Sequence, residues 1–308
     1  MPNALENLRL GGKSAMARVL GRLESHARDR ETIDLLDAAY QAPKGRSLGL
    51  TGPPGVGKSS LVNVLLREAR SHGLTVGAVA VDPSSNRTGG ALLGDRARLS
   101  ALDPADQGVF VRSMATRGRL GGVSALAYPS VVVMQAVYDL VLVETVGVGQ
   151  SETEIAGMTD AVMLCIQPAS GDSLQFMKAG IMEVPDLAVV TKADLGIPAR
   201  RAAADLRSAM SVTEGESLPV QLCSAQTGEG VAELFSTLLG VLGRAKSGPR
   251  PQQAEHWIKA AVLADFGNQG WLTLREQAKN TPFDKPFAEF EHMQNVLNAA
   301  LSKLDFRS

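Results

Sequence analysis

The stretch Gly52-Pro53-Pro54-Gly55-Val56-Gly57-Lys58-Ser59 limits what this chain can fold into more than any other. It satisfies the pattern G-x-x-x-x-G-K-[ST], between the apolar run Ser47-Leu48-Gly49-Leu50 and a segment of helical spacing from about Ser59 to Ser71. Such a loop works where a strand delivers the chain into it and a helix leaves it. Its glycines let backbone N–H groups turn inward around phosphate oxygens, and the helix N-terminus adds the positive end of its dipole. Lys58 is then placed to reach the β and γ oxygens, and the Ser59 hydroxyl to ligate Mg²⁺. Gly52, Pro53, Gly55, Val56, Gly57, Lys58, Ser59 and Ser60 are therefore candidate nucleotide-binding residues. A plain glycine turn ahead of a helix would need neither the lysine nor the serine.

A strand-loop-helix unit needs further strands to lie beside. Apolar runs at residues 76–81, 109–111, 140–143, 161–166, 187–190 and 220–223 supply them, separated by helix-length segments. That alternation predicts an α/β fold with a mostly parallel central sheet covered by helices on both faces. Before it, Ala15, Val19, Leu20, Leu23, Ile33, Leu36 and Ala39 recur at helical spacing, so residues 1–45 read as a helical extension ahead of a nucleotide domain over 46–245. The composition around Gly243 to Pro251 reads as linker, and residues 246–308 as a helical arm broken near Phe266-Gly267-Asn268-Gln269-Gly270. The last helix is expected from Pro286, with Phe287, Phe290, Met293, Leu297, Ala300, Leu301 and Leu304 on one stripe. That stripe suits either packing on its own domain or docking of a partner or second copy.

The bulk numbers narrow the partners. With 44% hydrophobic and 20% charged residues, 308 residues can bury a core, and 31 basic against 32 acidic residues leave a net charge of -1. Neither nucleic acid nor an anionic membrane has an electrostatic reason to bind. Cys165 and Cys223 stand far apart with no C-x-x-C spacing, which suggests neither a disulfide framework nor a zinc site. The charged N-terminus lacks a signal-peptide core and no apolar run reaches about 18 residues, so a cytoplasmic location is expected.

A phosphate loop with Mg²⁺ needs carboxylates nearby, and strand ends are where ligands bind in parallel sheets. Asp82 and Glu144 both emerge at strand ends, and Asp95 lies in the glycine-rich stretch between them, so Ser59, Asp82, Asp95 and Glu144 are the candidate metal surroundings. The stretch Val189-Val190-Thr191-Lys192-Ala193-Asp194-Leu195 resembles a guanine-reading loop, usually Asn-Lys-x-Asp, with Thr in the Asn place. A carboxylate at Asp194 accepts from guanine N1–H and the N2 amine, a donor pair that adenine lacks; a charge-assisted contact of this kind contributes roughly 1.5–3 kcal/mol. Lys192 can lay its alkyl stem along the base. Thr191 keeps a hydroxyl donor but loses the reach of an amide, and Ser224-Ala225-Gln226 are placed to offer backbone contacts to the O6 edge.

Together, GPPGVGKSS, VDPSSNRTGGALLGDRARL, ETVGVGQSE, LQFMKAGIMEVPD and CSAQTGEGV resemble, in order and spacing, the MeaB (ArgK-type) branch of the SIMIBI-class P-loop GTPases. The resemblance covers most of the chain. It implies a homodimeric GTPase that serves as chaperone of an adenosylcobalamin-dependent acyl-CoA mutase, such as methylmalonyl-CoA mutase. GTP/GDP and Mg²⁺ would be its cofactors, and an adenosyltransferase a further partner. By motif, Lys58 and Ser59 would bind phosphate and Mg²⁺, with Asp82, Asp95 and Glu144 as the acidic surroundings. Gly147 would donate its N–H to the γ-phosphate, Gln150 is a candidate orienter of the attacking water, and Gln175 to Asp186 resemble the extra switch that reports nucleotide state. Lys58, Asp95, Glu144, Gly147 and Gln150 are thus the candidate catalytic set. Two alternatives stay open: a metallochaperone of the same class, for which His26, His72, His256 and His292 are too scattered, and a P-loop small-molecule kinase.

Overall fold

The computed structural model describes residues 3–82, 105–115, 126–145, 151–168, 185–210, 218–244, 249–277 and 284–304. The core element is a seven-stranded parallel sheet in which strand β1, Arg46–Thr51, sits centrally. Strand β2, Val76–Asp82, pairs with β3, Val109–Ala115, and with β4, Leu140–Glu144; β4 in turn flanks β1. On the other side of β1 follow β5, Ala161–Ile166, then β6, Leu187–Val190, then β7, Val220–Leu222. The spatial order β3-β2-β4-β1-β5-β6-β7 puts the chain reversal at β1, where crossovers diverge and a crevice opens beyond the strand ends.

Side-chain alternation explains why these runs are apolar throughout. In β4, Leu140 and Leu142 face one core while Val141 and Val143 face the other. The first core is closed by α4, Lys58–Ser71, and by the later helix α8, Val231–Arg244, through Leu61, Leu65, Phe235 and Leu238. The opposite core takes in the three N-terminal helices, α1, Ala4–Leu10, α2, Gly12–Ser25, and α3, Arg30–Gln41. Helix α5, Ala127–Gln135, lies at its centre; all nine residues are buried, which is why AYPSVVVMQ shows no polar face. Helix α6, Ser151–Ala156, and helix α7, Ile197–Met210, continue that layer, α7 over β5 to β7.

Of the linker expected around Gly243 to Pro251, residues 245–248 lie outside the described residues and both ends are helical. Helix α8 runs on through Gly243 and Arg244, and α9, Pro249–Gln277, already starts at Pro249. Both prolines of the PRP run fall in the first turn of α9, where a missing N–H breaks no helical bond. The expected break appears at Gly267, whose φ of 64° and ψ of -169° interrupt α9. Helix α10, Pro286–Leu304, follows. Phe287 enters the main core, whereas Phe290, Met293 and Leu297 of the expected stripe pack with Ile258, Val262 and Leu274 of α9. Among the described residues, no helix is long and apolar enough to cross a membrane.

Candidate functional site

The phosphate loop is shaped by its glycines. Gly52 has φ 139°, and a Cβ there would run into the Cys165 carbonyl of β5. Gly55 and Gly57 hold φ 75° and 103°, left-handed angles that a side chain resists. Gly57 ends the loop, and the helix N-terminus at Lys58 points its free N–H groups into it. Lys58 is 6% exposed, and its ammonium donates to the carbonyls of Gly52, 2.7 Å, and Pro53, 3.1 Å. A buried cation held by neutral carbonyls is poised to exchange them for anionic oxygens.

The structure brings Ser59 and Glu144 together. Glu144 closes β4 in register with Leu50 of β1, and its Oε1 accepts from the Ser59 hydroxyl at 2.6 Å. Thr145 beside it is tied down, its N–H and hydroxyl both directed at the Leu50 carbonyl at 3.3 Å. Asp82 ends β2, two strands from the loop. Asp95, Gly147 and Gln150 lie outside the described residues, as does most of the segment from Gln175 to Asp186. Among the described residues no group of three His, Cys, Asp or Glu side chains gathers to hold a metal. A hydroxyl and a carboxylate in contact are, however, the hard oxygen donors that Mg²⁺ takes when phosphates complete its shell.

The base loop meets the phosphate loop directly. Thr191 is 5% exposed, and its hydroxyl faces the Val56 carbonyl at 2.7 Å and the Ile166 carbonyl at 3.1 Å. Lys192 is the single non-glycine residue with positive φ, 57°, among the described residues, a conformation that costs about 1–2 kcal/mol. Its ammonium donates to the Gly55 carbonyl at 3.3 Å and to Gln167 Oε1 at 2.5 Å. Asp194 is oriented by the buried Ser224, whose hydroxyl donates to its Oδ1 at 2.5 Å; Ser224 is itself placed by the Thr227 N–H and the Glu229 carbonyl. A cavity of about 160 Å³ results, bounded by Val56, Gly57 and Ser60 on one side and by Thr191, Lys192, Asp194 and residues 223–226 on the other.

Two residues at this site lay outside the motifs, Leu61 and Gln167. Leu61 and Cys223 line the cavity, and Gln167 grips Lys192. Burial pushes the Cys223 thiol up to about 11 and the Cys165 thiol up to about 12, so both are protonated, unreactive core groups at neutral pH, free of a disulfide. Gly49 is a third kind of omission: a Cβ on this β1 residue would press on Ile155 of α6, so the helix rests directly on the strand that feeds the phosphate loop.

Comparison with known proteins agrees with this geometry. The sequence profile of the methylmalonyl-CoA mutase-associated GTPase MeaB matches residues 16–269. The chain is 41% identical over 275 residues to a putative GTPase of Pyrococcus abyssi, covering 84% of this chain and 82% of the relative. It is 37% identical to the GTPase ArgK of Escherichia coli, with the same coverage of 84% and 82%. The mitochondrial methylmalonic aciduria type A homolog of Mus musculus is 38% identical over 74% of this chain and 60% of its own length. A crystal structure of an LAO/AO transport system kinase superposes with a TM-score of 0.65 at 25% identity, over 96% of this chain and 99% of that one. The chain therefore belongs to the MeaB family of methylmalonyl-CoA mutase-associated P-loop GTPases.

Proposed function

We propose that this chain binds and hydrolyses GTP and uses that cycle to assist an adenosylcobalamin-dependent acyl-CoA mutase in loading, protecting or regaining its cofactor. The observation that carries the nucleotide half is the shared cavity, in which phosphate-loop residues and Asp194 face the same space. The client half rests on the family's description and on the name of the mouse relative. Lys58 neutralises phosphate charge once its ammonium leaves the Gly52 and Pro53 carbonyls. Ser59 and Glu144 would hold Mg²⁺, which would supply positive charge to offset that of the phosphates. Asp194, held by Ser224, selects guanine, while Lys192 covers the base. Asp82, Asp95, Gly147 and Gln150 complete the proposed phosphate and metal surroundings.

Phosphoryl transfer depends mostly on positioning and charge neutralisation, so slow intrinsic turnover that a bound mutase accelerates is the expected behaviour. In this reading residues 1–45 are a helical start, 46–245 the nucleotide domain, and 246–308 a helical arm for pairing two copies or docking a partner. Competition of GTP and ATP against a fluorescent GDP analogue tests the nucleotide half: GTP should win clearly, and equal displacement by ATP would refute it. Lys58→Ala should abolish nucleotide-dependent hydrolysis; unchanged turnover would remove the phosphate-loop assignment. For the client half, the tagged protein is used to capture cobalamin-binding proteins in the presence of GDP or a GTP analogue. If none co-purifies under either nucleotide, that half falls.

A further inference from the structure

The end of β5 holds the base loop through two consecutive residues. Ile166 pairs in register with Val190, which sets Gln167 beside Thr191 and Lys192. The Ile166 carbonyl accepts from the Thr191 N–H at 2.8 Å and faces its hydroxyl at 3.1 Å. One residue on, Gln167 Oε1 accepts from the Lys192 ammonium at 2.5 Å. The phosphate loop mirrors this from the other side: the Val56 carbonyl takes the Thr191 hydroxyl, and the Gly55 carbonyl takes the Lys192 ammonium. Lys192 thus spans from the phosphate loop to the end of β5 over one edge of the base cavity.

We propose that Gln167 is a positioning residue for guanine-nucleotide binding, fixing the Lys192 ammonium so that its stem is already in place when a base enters. The inference rests on the guanine-nucleotide reading above. A lysine stem has several freely rotating bonds, and ordering them on ligand arrival weakens binding, whereas a stem ordered beforehand spares that loss. Two acceptors fix it, and the Gly55 contact at 3.3 Å is the longer of the two. Asp194 lies on another part of the cavity wall and makes its contact through Ser224, so selectivity and pre-ordering are separate duties.

Titration of full-length protein with fluorescent GDP, with ATP and GTP as competitors, tests this in four variants: Gln167→Leu, Gln167→Glu, Lys192→Met and the Leu/Met double variant. Gln167→Leu should weaken GDP binding about three- to tenfold, the scale of one net hydrogen bond, and leave the preference for GTP over ATP unchanged. Gln167→Glu keeps an acceptor against the ammonium and should restore affinity. With Lys192→Met already in place, Gln167→Leu should add nothing, because the two side chains act as one unit. Wild-type affinity in Gln167→Leu, the same loss in Gln167→Glu, or equal losses with and without Lys192 would each overturn the proposal. The same plate includes Asp194→Ala: if that variant keeps the wild-type base preference, or wild type binds no guanine nucleotide, the underlying reading fails instead, and visibly so.

Discussion

Thr191 stands where guanine-reading loops usually carry asparagine, and the structure gives it a different duty from reading the base. Its hydroxyl has a single hydrogen to share between the Val56 and Ile166 carbonyls, and the shorter contact, 2.7 Å, is to the phosphate loop. The side chain therefore staples one nucleotide loop to the other. Thr191→Val should leave the Val56 carbonyl buried without this donor, which costs about 1–3 kcal/mol in urea unfolding, and should weaken GDP and GTP binding alike. A variant as stable as wild type would show that the staple does nothing. Asp194→Ala should instead lower the preference for GTP over ATP by about tenfold or more, the worth of a charge-assisted contact. Asp194 was legible in the sequence because its chemistry is stated by its motif. The direction of the Thr191 hydroxyl was not, since nothing local to VVTKADL says that Val56, 135 residues earlier, passes beside it. Gln167 was invisible for the same reason: only the β5–β6 register brings it there.

Helix α6 shows how whole elements are set against the site. It follows the stretch that contains Gly147 and Gln150, and it is seated on β1 because Gly49 has no side chain to hold it off. Ile155 fills that space and is fully buried. Beyond it, Gly157 lets the His256 ring of α9 approach, and the buried Gln253 donates to the Thr159 carbonyl at 2.9 Å. The segment 155–160 is thus held between the phosphate-loop strand and α9. Gly49→Ala should push against Ile155 and the Thr159 hydroxyl; overpacking of this kind costs about 1–3 kcal/mol, and GTP turnover should change along with stability. If Gly49→Ala unfolds at the wild-type urea midpoint, the close seating is wrong. Strands were readable as continuous apolar runs. At the junction of α8 and α9 the glycines and prolines read as punctuation, although Gly243 falls in the last turn of one helix and Pro249 and Pro251 in the first turn of the next.

Across the whole molecule, the chain's two ends are joined at α3. Asp37 is 4% exposed and accepts from the N–H groups of Phe287 and Ala288, at 3.0 Å and 3.2 Å, so it caps α10 from a helix some 250 residues earlier. Gln41 of α3 donates to the Asp284 carbonyl, and Arg250 of α9 reaches the Tyr40 carbonyl and Gln135. The sequence showed amphipathic stripes at both ends, but a stripe does not name what it packs against. Burial raises the Asp37 carboxyl above its ordinary value of 3.8, with the two backbone donors and Lys285 pulling the other way. The folded state then holds that proton more tightly than the unfolded chain does. Between 3.8 and the raised value, stability must therefore fall as pH rises, and above that range the Asp37 contribution is flat. Asp37→Asn keeps an oxygen for the cap and has no charge to bury, so its stability relative to wild type should increase over that same rise in pH. Asp37→Ala loses the cap and should cost about 0.5–2 kcal/mol at neutral pH. Thermal unfolding of the three proteins in buffers from pH 3.8 up to neutral checks both statements. A difference between Asn and wild type that does not change with pH would mean Asp37 is not held above its ordinary value, and an unaltered Asp37→Ala would mean α10 is held by its apolar face alone.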